Sequence, residues 1–120
     1  MPISETRKWK INKPASQILD IVKIELFRKN ANLTEANSKR IKATLGSETR
    51  TRLLGGALVS EETLPVKITI QMNESATGTE IDATIQDNLG VGLRIGMRSK
   101  YREYINKLFN LLFAVLAAKN

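Results

Sequence analysis

The spacing of apolar residues changes several times along this chain. In "TRKWKIN", Trp9 and Ile11 alternate with Lys8 and Lys10, the period-two pattern of a strand with one buried face. After Pro14 the period lengthens. Ala15, Ile18, Leu19, Val22 and Leu26 recur at helical spacing with Ser16, Asp20 and Lys23 opposite, so a helix is expected from Ala15 to about Lys29, ended by "KNAN". Period two then returns. "NLTEANSKRIKATLGS" reads as a short strand, a polar turn at Asn37 and Ser38, and a strand in which Ile41, Ala43 and Leu45 alternate with Lys42 and Thr44. "TRTRLLGGALVS" continues the alternation through Arg50 and Arg52, and Gly55 with Gly56 implies a bulge, bend or turn. In "PVKITIQM", the clearest strand, Val66, Ile68, Ile70 and Met72 face one side and Lys67, Thr69 and Gln71 the other. "NESATGT" supplies a hairpin loop, after which "EIDATIQD" sets Ile81, Ala83 and Ile85 against Asp82, Thr84 and Gln86. The last segment is helical again. Tyr101, Tyr104, Ile105, Leu108, Leu112, Val115 and Leu116 form its apolar face, flanked by Phe109 and Phe113, which are candidates for contact with a second copy of the chain.

The predicted order is strand, helix, about five strands in hairpin succession, and a final helix. This is an α+β arrangement: strand, helix, antiparallel strands, helix, with the helices packed on one face of a single curved antiparallel sheet and the other face left polar. A chain of 120 residues is expected to form a single domain over residues 1–120.

The stretches "RIKATLGS", "PVKITI" and "TIQDNLGVG", the last followed by a Tyr-bearing helix, are similar to small prokaryotic α+β proteins, a likeness that implies no activity. Over nearly the whole chain, the order of elements resembles a half-repeat of the TATA-box-binding-protein-like fold and the neighbouring helix-grip architecture of Bet v 1-type ligand carriers. The second resemblance implies an apolar ligand held between sheet and C-terminal helix. Neither supplies a site residue by residue, and the predicted outward strand positions hold no Phe of the kind TATA-box-binding proteins wedge into DNA.

Candidate chemistry is narrowed by what is missing. With no Cys and no His, the chain by itself makes no disulfide, thiolate zinc site, cysteine nucleophile or His-dependent triad. No catalytic residue, metal ligand or cofactor is assigned, and an enzyme is the less expected class. "DNLGVGLRIGMRSKYREY" sets Gly90, Gly92 and Gly96 before the last helix, but G-x-G-x-x-x-G is neither the dinucleotide fingerprint nor a P-loop. It reads as a strand-to-helix bend with a basic rim, where Arg94, Arg98, Lys100 and Arg102 are candidates to bind an anion near a helix N-terminus.

Net charge is +7 and uneven, with 12 of the 19 Lys and Arg but only 5 of the 12 Asp and Glu in residues 1–60. Lys8, Lys10, Lys42, Arg50, Arg52 and Lys67 are expected to share the open sheet face with Thr44, Thr69, Thr84 and Gln71, a surface suited to anionic groups. Trp9, Phe27, Tyr101 and Tyr104, with Phe109 and Phe113, are expected either to line an apolar pocket between sheet and last helix or to fill an ordinary core. Glu80, Asp82 and Asp87 lie close in sequence, without a pattern that assigns acid and base roles.

These features favour a non-enzymatic binding or interaction domain that recognises an acidic protein or nucleic acid through a basic surface, with a homodimer as a further possibility. The alternative is a helix-grip carrier or enzyme for an apolar small molecule. No secretory signal is expected from "MPISETRKWKINKP", and "LLFAVLAA" is far shorter than the roughly 20 residues that span a bilayer, so no transmembrane segment and a cytoplasmic location are expected.

Overall fold

The computed structural model describes residues 3–46, 64–88 and 97–118. In chain order the elements are β1 (Ser4–Ile11), α1 (Ala15–Arg28), β2 (Asn32–Ala36), β3 (Arg40–Leu45), β4 (Val66–Ser75), β5 (Gly78–Asp87) and α2 (Arg98–Ala117). The strands form one antiparallel sheet in the order β1-β5-β4-β3-β2, and both helices lie on its apolar face. The expected α+β order is therefore observed. The strand expected around Arg50 and Arg52, with the Gly55-Gly56 pair, lies outside the described residues, as do Gly90, Gly92, Gly96 and Arg94.

Pairing preserves the alternation across the whole sheet. Ile41, Ile70 and Ala83 stand in one inward row, and Ala43, Ile68 and Ile85 in the next, all essentially buried. A slip of one residue would turn each row to solvent, so the register is held by the core itself. Above these rows sit Ile18, Val22 and Leu26 from α1 and Tyr101, Ile105, Leu108, Phe109, Leu112 and Leu116 from α2. No described helix is long and apolar enough to cross a membrane.

Side chains distant in sequence satisfy the helix ends. Pro14 precedes α1 without a side-chain cap of its own, and the first helical N–H, that of Ala15, donates instead to Glu74 Oε1 on β4 at 2.6 Å. The carboxylate thus meets the positive end of the helix dipole. At the other end Asn30 takes φ 57°, and the N–H groups of Asn30 and Ala31 donate to the carbonyls of Phe27 and Leu26. This is a Schellman closure with Asn in the left-handed position, the physical content of the expected stop at "KNAN". Lys13 Nζ donates at the end of α2 to Leu116 O at 2.6 Å and, one residue past the helix, to Ala118 O at 2.5 Å.

The β4–β5 hairpin is tighter than "NESATGT" suggests. Strand pairing continues to Ser75 and Gly78, leaving a two-residue turn at Ala76 and Thr77. Gly78 permits this because its φ is 141° and the end of β1 presses against it, where a Cβ would lie 2.5 Å from Ile11 O. Beside it the buried Thr79 hydroxyl donates to Lys13 O at 2.7 Å. Gly78→Ala is expected to destabilise the domain by about 1–3 kcal/mol, through left-handed strain and the clash with β1. Thr77→Ala, with its exposed side chain, should stay within about 0.5 kcal/mol. Urea unfolding of the two variants checks the contrast.

Candidate functional site

Between sheet and α2 the described side chains are in direct contact. Tyr101 is fully buried, and its hydroxyl donates to Pro65 O at 3.0 Å; Tyr104 is buried beside it. Trp9 is half-buried, edge-on to Phe109 at 6.0 Å and tilted against Phe113 at 5.5 Å. Phe27 does not join them: it is 81% exposed on the outer side of α1, because the buried stripe of that helix runs through Ala15, Ile18, Val22 and Leu26. Among the described residues no buried side-chain nitrogen or oxygen lacks a partner.

Phe109 fills the core, one of the placements expected for it, and not a subunit contact. It is fully buried, while Phe113 stays 44% exposed. The cause is β1, whose inward positions include Arg7 and Trp9 in place of aliphatic side chains. Arg7 lays its guanidinium over the Phe109 ring, 4.7 Å from its centre, and donates to the side-chain oxygens of Asn106 and Asn110. Aromatic bulk and a cation over its face thus close the seam between sheet edge and helix.

The outer face of the sheet is polar, as the alternation implies, but less basic than the cations alone suggest. Pairing sets Lys8 opposite Asp82, Lys10 opposite Glu80, and Lys42 opposite Glu35. Lys8 and Asp82 approach loosely at 4.0 Å, Arg40 meets Glu35 at 3.3 Å, and Lys10 donates to Thr77 at 2.8 Å. Lys42 and Lys67 lie half-buried on adjacent strands of this face, next to Thr69 and Thr44. Asp87 is separated from Glu80 and Asp82. It is buried on the helix side, where its Oδ2 accepts the Ile3 N–H at 2.5 Å.

The predicted anion-binding residues therefore do not form one described cluster. Arg98, Lys100 and Arg102 occupy the start of α2, with Arg98 and Arg102 exposed and Lys100 half-buried. The sheet stands between that helix and the outward Lys42 and Lys67. Arg50, Arg52 and Arg94 lie outside the described residues.

A concavity of about 690 Å³ does cross the outer face. Two rows of side chains line it: Lys8, Asp82, Gln71 and Arg40 in one, and Lys10, Glu80, Asn73 and the turn residue Lys39 in the other. Lys39 and Arg40 were not among the predicted anion-binding residues. Arg40 was legible, since Ile41 and Ala43 inward make Arg40 and Lys42 outward; Lys39 joins because its carbonyl accepts the Met72 N–H and so continues β3.

No family model matches this chain, and no curated protein matches it significantly. Solved structures do match at the level of fold. Ara h 8.0201, Bet v 1-like, is 9% identical at a TM-score of 0.58, covering 96% of this chain and 95% of its own. Aha1 from Colwellia psychrerythraea, solved as a dimer, is 10% identical at 0.53, covering 98% and 99%. MLL2253 from Mesorhizobium loti is 12% identical at 0.51, covering 92% and 96%. The fold is the helix grip, one of the two architectures that the order of elements resembles.

The buried Phe109 and the exposed Phe27 give a stability test. Phe109→Ala should cost about 3–5 kcal/mol, and Phe27→Ala should change stability by less than about 0.5 kcal/mol. Thermal unfolding of both variants reads the difference.

Proposed function

We propose that this chain is a single-domain, non-enzymatic binding protein that recognises an anionic partner through the groove on the outer face of its sheet. The carrying observation is where space and charge coincide. The groove is large, open to solvent and flanked by Lys8, Lys10, Lys39 and Arg40, whereas the described side chains between sheet and α2 pack against one another. Exposed cations at a concave polar surface attract anions by long-range steering and release them as salt screens the field. The reading takes the domain to act in the cytoplasm.

A second reading, a helix-grip carrier or enzyme for an apolar small molecule, is supported by the fold and by the half-exposed Trp9 and Phe113 above the Arg7 seam. Under this reading native mass spectrometry of freshly purified protein finds a lipid-like mass on the chain; under the first it finds a bare chain.

The first reading predicts that a polyanion such as heparin binds at low ionic strength and is released as salt rises. Replacing Lys8 and Lys39 together by Gln should weaken that binding about tenfold without lowering the melting temperature, since both side chains are exposed. Calorimetric titration across a salt series measures both effects. Absence of binding to heparin, RNA, DNA and anionic vesicles at low salt would remove the reading.

A further inference from the structure

Resting on the reading that the outer groove is the binding site, we propose that its ligand is an acidic oligosaccharide in which charged sugars flank a neutral, hydroxyl-rich one. The arrangement of charge within the groove carries this. Lys8 and Lys10 on β1 form one bank, and Lys39 and Arg40 at the start of β3 form the other. Between them β5 contributes the carboxylates of Glu80 and Asp82, and β4 the carboxamides of Gln71 and Asn73. Three strand spacings separate the banks, about 14 Å at roughly 4.8 Å each.

A ligand matched to that surface is anionic at both ends and donates hydrogen bonds from its middle. Carboxylates only accept, and carboxamide oxygens accept beside them, so the floor is rich in acceptors. Sugar hydroxyls supply such donors. The Lys8–Asp82 contact does not consume the floor, because at 4.0 Å it is loose and its side chains are 79% and 45% exposed.

The same pattern argues against other anions. A dinucleotide carries its pyrophosphate at its centre, over Glu80 and Asp82, where like charges repel. Single-stranded nucleic acid runs phosphates across the whole floor and relies on aromatic faces for its bases. Trp9, the sole Trp, borders the groove but turns its ring to the helix side, edge-on to Phe109. A peptide partner wants an apolar anchor pocket, and the apolar side chains along this groove, Met72 and Ile81, are buried in the core behind it.

The test titrates the full chain at low salt with four probes: hyaluronan hexasaccharide, in which uronates alternate with neutral amino sugars; neutral maltohexaose; a 12-residue oligothymidylate; and an acidic decapeptide. Hyaluronan hexasaccharide is expected to bind at least about tenfold more tightly than the others, and replacing both Glu80 and Asp82 by Ala is expected to weaken it about tenfold. Glu80→Gln with Asp82→Asn keeps an acceptor oxygen at each position. It should retain binding within about threefold, which separates loss of acceptors from loss of fold. A merely cationic surface gives the opposite sign, since removing the two acids then tightens every polyanion. That sign, or equal or tighter binding of oligothymidylate or peptide, overturns the glycan assignment and leaves the anion-binding reading standing. Failure of every charged probe, heparin included, overturns both.

Discussion

The pairing of β1 with β5 is the constraint on which the rest of the structure depends. Among the described residues it joins the first strand to the last along eight residue pairs, from Ser4 with Gln86 to Ile11 with Thr79. Closing so long a loop is entropically unfavourable before any side chain is buried, so the junction needs strong local contacts. They stand at both ends. Ile3 and Asp87 exchange backbone and carboxylate hydrogen bonds at one end, and Gly78 lets Ile11 approach at the other. Once β1 is seated, Lys13 reaches the end of α2, Arg7 covers Phe109, and Glu74 meets the start of α1. Each helix is thereby tied to the sheet at an end as well as along its apolar stripe.

The same pairing explains what could and could not be read from the residues alone. Local periodicity placed the elements well, because each side chain reports its own burial: Ile41, Ala43, Leu45, Val66, Ile68, Ile70, Ile81, Ala83 and Ile85 all point inward as alternation requires. What periodicity does not report is which strand lies beside which. Lys8 and Asp82 are both outward in the sequence pattern, yet only the β1–β5 ladder makes them neighbours. The polar face therefore read as basic, whereas Glu35, Glu80 and Asp82 are threaded through its cations.

The aromatics show a related limit. A helical stripe has soft edges, and whether a flanking residue is buried depends on the element opposite it. Phe109 and Phe113 sit on the same margin of α2, but Arg7 and Trp9 on β1 enclose the first and leave the second half in water. Phe27 failed as a pocket residue for a simpler reason, since it lies one position beyond Leu26, where α1 already faces solvent.

The packing between sheet and α2 bears on which side of the sheet recognises a partner. A ligand pocket at the small end of the usual range, about 300 Å³, would at about 24 cal/mol per Å³ of cavity cost roughly 7 kcal/mol. That is comparable with the whole stability of a typical domain, about 5–15 kcal/mol. A larger chain can spread such a loss over a wider core; this one draws its core from two helices and five described strands. Filling the interior with Tyr101, Ile105 and Phe109 avoids that loss. The outer face carries no such burden, because a solvated groove between strand side chains leaves the core intact.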